Sequence, residues 1–231
     1  MTIPMTNRLL ACCGFVRPGD RVIDVGTDHG YLGIYLLQNG IASTVIASDI
    51  AEGPLAAARQ NAVKYGLSHK MRFFLSDGLQ SVPRDFDCVV CAGMGADTMV
   101  SILKRSPWLR DPGYRLVLQC QSRRPILREY LSKSGFRIRR ETLAKDGKFL
   151  YTVMEAVYEP GKPLTPAQCW LSPALLESGS PLLPAFYGRV AAGLRATVEG
   201  LSRSGSEKLE QYRHILAELS EMEESIYGNR S

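Results

Sequence analysis

Residues 23–32 read IDVGTDHGYL. Apolar residues lead into Gly26, Asp28 and His29 occupy a turn, and Gly30 opens a helix-period run. A short apolar run closed by glycine and followed by an amphipathic segment reads as strand, tight turn and helix, the opening unit of an open α/β sheet. Ligands of such sheets sit beyond the carboxyl ends of the strands, so this turn is the first wall of any site. A dinucleotide site carries Gly-x-Gly-x-x-Gly at this point, because a pyrophosphate must touch bare backbone amides. The middle position here is Asp28, whose carboxylate would repel a phosphate.

Outward from this turn, apolar runs alternate with helix-period segments. Strands are expected at 21–25, 43–49, 71–75, 86–91, 114–120, 136–144 and 149–157, with helices at 30–40, 53–66, 96–106 and 124–135. This rhythm predicts a mostly parallel sheet with helices on both faces. No helix separates the last two strands, and KDGK at 145–148 is a tight-turn signal, so they form an antiparallel hairpin at one edge. The α/β outline is that of a Rossmann-type class I methyltransferase sheet rather than a dehydrogenase. EPGKPLTP at 159–166 forbids regular structure and divides residues 1–159 from a C-terminal part, 160–231. In that part Tyr187, Val190, Ala191, Leu194, Val198 and Leu201 recur at helical spacing. SRSGS interrupts the pattern at 202–206, and Leu209, Tyr212, Ile215, Leu216, Leu219, Met222 and Ile226 resume it. A C-terminal α-helical hairpin follows, with Arg189, Arg195 and Arg203 expected to pair with glutamates of its second helix.

Composition limits the functional class. The 231 residues are 45% hydrophobic and 22% charged, ordinary for one sizeable core and an appendage. No run approaches the ~20 apolar residues of a membrane span, and the N-terminal stretch lacks a secretion leader, so a cytoplasmic protein and no membrane partner are expected. Six cysteines are then expected to stay reduced. Cys88 and Cys91 are three apart on a strand and point to opposite faces, which suits buried small hydrophobes and not a shared metal. No metal is expected. The net charge of +5 conceals a block between Lys104 and Lys148 with thirteen basic residues against four acidic ones, a composition that suits a polyanion. A monomer is the favoured oligomeric state.

Acids follow three successive strands: Asp28, Asp49 and Asp77. S-adenosylmethionine fits such a set, because it has no phosphate and carries a cationic ammonium and sulfonium near the first loop. Asp28 is placed to accept a charge-assisted hydrogen bond from the ammonium, Asp49 to take the ribose hydroxyls, and Asp77 to accept from the adenine amine. The fourth strand runs into CAGMGADTM, where Gly93 and Gly95 let a planar group approach the backbone. Neither Asn-Pro-Pro nor Asp-Pro-Pro occurs, which disfavours methylation of an exocyclic amino group.

The stretches IDVGTDHGYLGIYLL, SDIAEGPLAAARQNAVKYGL, LSDGL, AGMGADTM, LVLQCQS and EYLSKSGFRIRRETLAKDGKFLYTVM together resemble the bacterial tRNA (adenine-22-N1)-methyltransferase, or TrmK, family over about residues 5–157. The resemblance implies methyl transfer from S-adenosylmethionine to N1 of adenine 22 in tRNA, a Rossmann-type catalytic domain and a helical appendage. It also implies that Gly26, Thr27, Asp28, Asp49, Asp77, Gly78 and Gly93 line the cofactor pocket. The chain departs from the family pattern at Gly95-Ala96 and Gln119-Cys120, where members often read GMGG and LQP. Asp28 and His29 are the candidate catalytic residues, with Tyr31 at the same mouth. Adenine N1 is blocked in a duplex, so the enzyme must hold folded RNA with a base swung out. Arg123, Arg124 and Arg128, with Lys145 and Lys148, are the expected phosphate contacts. A small-molecule methyltransferase and a non-catalytic RNA-binding protein on the same fold are the alternatives.

Overall fold

The structure, a computed structural model, describes residues 2–227, apart from the side chains of residues 224 and 225. β-branched and aliphatic runs form seven strands: β1 (Asp20–Val25), β2 (Ala42–Asp49), β3 (Met71–Leu75), β4 (Cys88–Met94), β5 (Arg115–Cys120), β6 (Phe136–Asp146) and β7 (Phe149–Tyr158). Their order across the sheet is β3-β2-β1-β4-β5-β7-β6. All pairs are parallel except β5–β7 and β6–β7. The chain order reverses between β1 and β4, and the register aligns Val25 with both Ser48 and Cys91. The carboxyl ends of the central strands therefore open on one crevice, the position at which such sheets bind ligands. The expected Rossmann-type sheet with its antiparallel edge hairpin is present. β4 runs three residues beyond its expected end, through Gly93 to Met94.

Helices cover both faces. α1 (Asn7–Cys13) and α2 (Tyr31–Gln38) pack on one side, while α4 (Ala96–Lys104) and α5 (Arg124–Lys133) pack on the other, with α3 (Glu52–Lys64) over β2 and β3. Cys88 joins the core under α1 and α2, and Cys91 the core under α4 and α5, so the two thiols do point to opposite faces. Burial pushes both thiols up to about 12, the behaviour of inert core groups. A fully buried leucine or isoleucine such as Ile23, Ile34, Leu116 or Leu127 contributes about 1.5–3 kcal/mol.

Sequence reasoning misses α1. Its exposed N–H groups are satisfied from far away, since both carboxylate oxygens of Asp146 accept from the backbones of Asn7 and Arg8, at 2.9 and 3.0 Å. Thr6 Oγ1 accepts from Leu9 N, a local cap too weak to announce the helix.

After β7 come two short helices, α6 (Pro166–Trp170) and α7 (Pro173–Leu176), then α8 (Leu183–Ser204), α9 (Leu209–Glu221) and α10 (Glu223–Tyr227). α8 ends on Gly205 at φ 62°, inside the SRSGS interruption, and α9 folds back along it. Their shared core takes in Leu143 and Leu150 from the β6–β7 hairpin, so the helices pack directly on the sheet edge. The expected arginine–glutamate pairs between the two helices do not form among the described residues. Arg203 pairs with Glu199 on its own helix, and Arg189 donates to the Lys148 carbonyl instead. The interface relies on the apolar stripe.

Arg128 requires a correction. Placed on α5, it is wholly buried and clamps the sheet to the C-terminal segment: its guanidinium donates to Glu141 at 2.5 and 3.2 Å and to the carbonyls of Cys169 and Trp170. Ser172 also donates to Glu141 at 2.5 Å. A charge so enclosed cannot reach a phosphate, and its position facing inward on α5 is what removes it from the surface. Among the described residues no helix is long and apolar enough to cross a membrane.

Candidate active site at the carboxyl ends of the strands

The turn after β1 is built by backbone bonds to the neighbouring strand. Gly26 N and Thr27 N both donate to the Ser48 carbonyl, at 2.8 and 3.0 Å. Gly26 sits at φ 75°, a conformation that side chains rarely adopt, so the turn itself calls for glycine, and the flexible end of Met94 from β4 packs against it. Asp28 adopts φ 48°, in the left-handed region that only glycine, Asn and Asp visit with ease. Its side chain is thereby presented to solvent beyond β1. His29 Nε2 lies 3.6 Å from Asp28 Oδ1, and its ring is 5.5 Å from that of Tyr31, the first residue of α2. The three proposed catalytic side chains thus share one mouth. Asn61 of α3 fixes the loop by donating to the His29 carbonyl.

Beneath this loop lies an acid that sequence reasoning passes over. Asp24 is 4% exposed, on β1 itself, and accepts from Thr27 Oγ1 at 2.7 Å. Burial raises its carboxyl to about 6; the Thr27 hydroxyl opposes the rise, while the charges of Asp49 and Asp28 add to it. The charges of Asp49 and Asp28 thus oppose ionisation of Asp24 around the β1 and β2 ends, a field that a cation relieves. An acid interrupting an apolar strand just before the glycine is the available signal.

Asp49 ends β2, with one oxygen accepting from Ala51 N at 2.9 Å. Asp77 follows β3, but Arg105 engages both its oxygens, at 2.5 and 2.8 Å, and holds its carboxyl below the usual range. Gly78, at φ 62°, packs over Ile102 of α4. Gly93, at φ 83°, lies across the crevice and donates to Gln119 Oε1 at 3.0 Å. Arg8 of α1 donates to the same oxygen at 2.8 Å, which brings an unforeseen N-terminal cation to the crevice wall. The glycines and acids expected around the cofactor are all at the carboxyl ends of β1 to β4.

The expected phosphate contacts divide. Arg123, at φ 56°, is exposed and pairs with Asp97 at 2.7 Å. Arg124 lies against the Phe186 ring, 5.0 Å from its centroid, and Lys145 and Lys148 are exposed on the β6–β7 turn. Arg128 is excluded by its burial.

Fold and site together define a methyltransferase: residues 5–154 match the methyltransferase domain family, to which the chain belongs. Within it the chain is a member of the TrmK family. It is similar to the tRNA (adenine(22)-N(1))-methyltransferase of Bacillus subtilis, 28% identical over 67% of this chain and 65% of that protein. It is also similar to MG248 of Mycoplasma genitalium, a protein named as a tRNA methyltransferase by inference, 32% identical over 67% of this chain and 70% of that one. Streptococcus pneumoniae Sp1610, solved in complex with S-adenosyl-L-methionine, superposes with a TM-score of 0.80 at 27% identity, covering 92% of this chain and all of that one. The sequence matches span about two thirds of the relatives' length, whereas the structural match includes the helical appendage.

Proposed function

We propose that this chain transfers a methyl group from S-adenosylmethionine to N1 of an adenine in tRNA, at position 22. The observation that supports it most is the donor set: Asp24, Asp28 and Asp49 surround a turn where a phosphate-binding fold would offer amides alone. Carboxylates in this arrangement suit a cationic, phosphate-free cofactor. S-adenosylmethionine, when bound, would supply an electrophilic methyl carbon: the N1 lone pair forms the new bond, the carbon–sulfur bond breaks and neutral S-adenosylhomocysteine leaves, without a covalent enzyme intermediate.

The chain's own residues then act by position and charge. Asp28 holds the cofactor ammonium, Asp49 the ribose, and Asp77 the adenine once Arg105 yields it. Gly93 allows the target base to lie against the backbone of β4. Methylation at N1 transfers the positive charge of the sulfonium to the base, so the Asp28 carboxylate stabilises developing charge; the separate loss of the N6 proton, which neutralises that cation, falls to His29 beside it. Tyr31 closes the mouth beside the His29 ring. Arg123, Arg124, Lys145 and Lys148 contact phosphates of the folded RNA.

Unmodified tRNA incubated with protein and S-adenosylmethionine, then digested to nucleosides for mass spectrometry, tests this reading. Formation of 1-methyladenosine that maps to position 22 is expected. Methylation of a small metabolite and not of tRNA would overturn it.

A further inference from the structure

We propose that the cleft between the β6–β7 turn and α8 is a nucleotide subsite, which holds an unpaired nucleotide of the RNA adjacent to the methylated one. The proposal rests on the RNA substrate assigned above and adds a place and a mode of recognition. Three observations support it.

The first is where the charge remains. Of the thirteen basic residues between Lys104 and Lys148, eight meet a carboxylate within 4.0 Å: Arg105, Arg115, Arg123, Arg128, Lys133, Arg137, Arg139 and Arg140. Among the described residues the other five do not, and three of these, Arg124, Lys145 and Lys148, lie around this one turn. Arg189 of α8 joins them, tied to the turn through the Lys148 carbonyl at 2.9 Å. Three of the five cations of the block without a carboxylate partner, together with Arg189, are thus gathered at this turn.

The second is an aromatic platform among those cations. Phe149 is 54% exposed, its ring centroid 6.1 Å from that of Tyr151 and inclined at 40°. Lys148 Nζ lies 5.5 Å from the Phe149 ring and the Arg8 guanidinium 5.8 Å from the Tyr151 ring. Rings flanked by cations are what single-stranded nucleic acid uses, bases on the π-faces and phosphates on the charges.

The third is size and continuity. The cleft offers about 320 Å³ and is lined by Gln121, Arg124, Phe149, Tyr151, Phe186 and Arg189. That volume lies at the lower end of the roughly 300–1,000 Å³ of small-ligand pockets, room for one nucleotide. Gln121 N donates to the Met94 carbonyl, and its Nε2 is 3.7 Å from the point where a Gly93 Cβ would stand. One side chain thus separates the cleft from the wall where the target base is seated.

The test measures affinity of the full chain, wild type and Phe149→Ala, for the tRNA and for copies carrying one abasic residue at each position flanking the target. Phe149 is outside the core, so its truncation leaves the fold intact. Phe149→Ala should weaken intact tRNA binding by about tenfold, within the range for one stacked base, with cofactor affinity unchanged and Phe149→Trp restoring binding. One abasic tRNA should show the same loss with wild type and no further loss with Phe149→Ala. Unchanged affinity in Phe149→Ala, or losses that multiply at every abasic position, would overturn the subsite. If 1-methyladenosine still forms, the proposed function survives that result; a wild type that neither binds nor methylates tRNA overturns both.

Discussion

The guanidinium of Arg128 donates to both carboxylate oxygens of Glu141, at 2.5 and 3.2 Å, and neither side chain reaches solvent. The carbonyls of Cys169 and Trp170 and the hydroxyl of Ser172 complete the network. A buried pair is costly to assemble but costlier to break, because the surviving charge is left alone. Arg128→Ala should therefore destabilise the protein by about 3–5 kcal/mol, read as a lower urea midpoint. Arg128→Lys should recover little, since an ammonium cannot reproduce the planar fork. An unshifted midpoint in Arg128→Ala would refute the clamp.

Asp24 predicts a pH dependence. Its folded carboxyl, at about 6, lies above the ordinary value of 3.8. Ionisation is thus penalised in the folded state: the penalty is full above pH 6, about 3 kcal/mol, and disappears as pH falls from 6 towards 3.8. Asp24→Asn keeps an acceptor for Thr27 and removes the charge. It should melt higher than wild type at pH 8 and converge with it near pH 4, while binding S-adenosylmethionine more weakly. The same melting difference at both pH values would count against a charged, buried Asp24.

Asp28→Asn separates charge from backbone. Asparagine also tolerates the left-handed φ of 48°, so the turn should persist. Loss of a charge-assisted hydrogen bond should then weaken S-adenosylmethionine binding by roughly 10- to 100-fold in calorimetry. Full affinity in this variant would remove Asp28 from the cofactor site.

On the proposed assignment of Asp77 to the cofactor adenine, Arg105 competes for the same carboxylate. Arg105→Ala breaks an exposed ion pair, so stability should hardly change. S-adenosylmethionine binding should tighten a few-fold, as expected for release of a surface pair. Weaker binding in Arg105→Ala would show that the pair positions Asp77 and does not withhold it.

Lys145 and Lys148 are the exposed cations of the β6–β7 turn. Their joint reversal to glutamate should weaken tRNA binding. Log affinity should also fall less steeply with log salt, the slope changing by about 0.9 for each phosphate no longer neutralised. Cofactor affinity should hold. An unaltered salt slope would place the RNA elsewhere.

Much of the fold is legible along the chain because its determinants are local. Alternation of apolar runs and helical periods foretells the strands and most sheet-covering helices; KDGK foretells the hairpin, and the glycine–acid turn of residues 26–30 foretells the first wall of the site. Asp28 stands out for its chemistry, and its left-handed backbone is a property that Asp itself permits. The apolar stripes of α8 and α9 are equally plain, yet the ion pairs expected between them depend on helix rotation, which no periodicity specifies.

What the chain alone determined was therefore the set of elements, the carboxyl-end acids and the exclusion of a phosphate-binding turn, each a matter of neighbours within a few residues. Only tertiary structure decided that Arg128 is a buried clamp and not an RNA contact, that Asp146 caps a helix some 140 residues upstream, and that Arg105 occupies Asp77. It also decided where the basic block keeps unpaired charge. Burial and pairing depend on which surfaces the sheet brings together, and the residues responsible lie far apart in the chain.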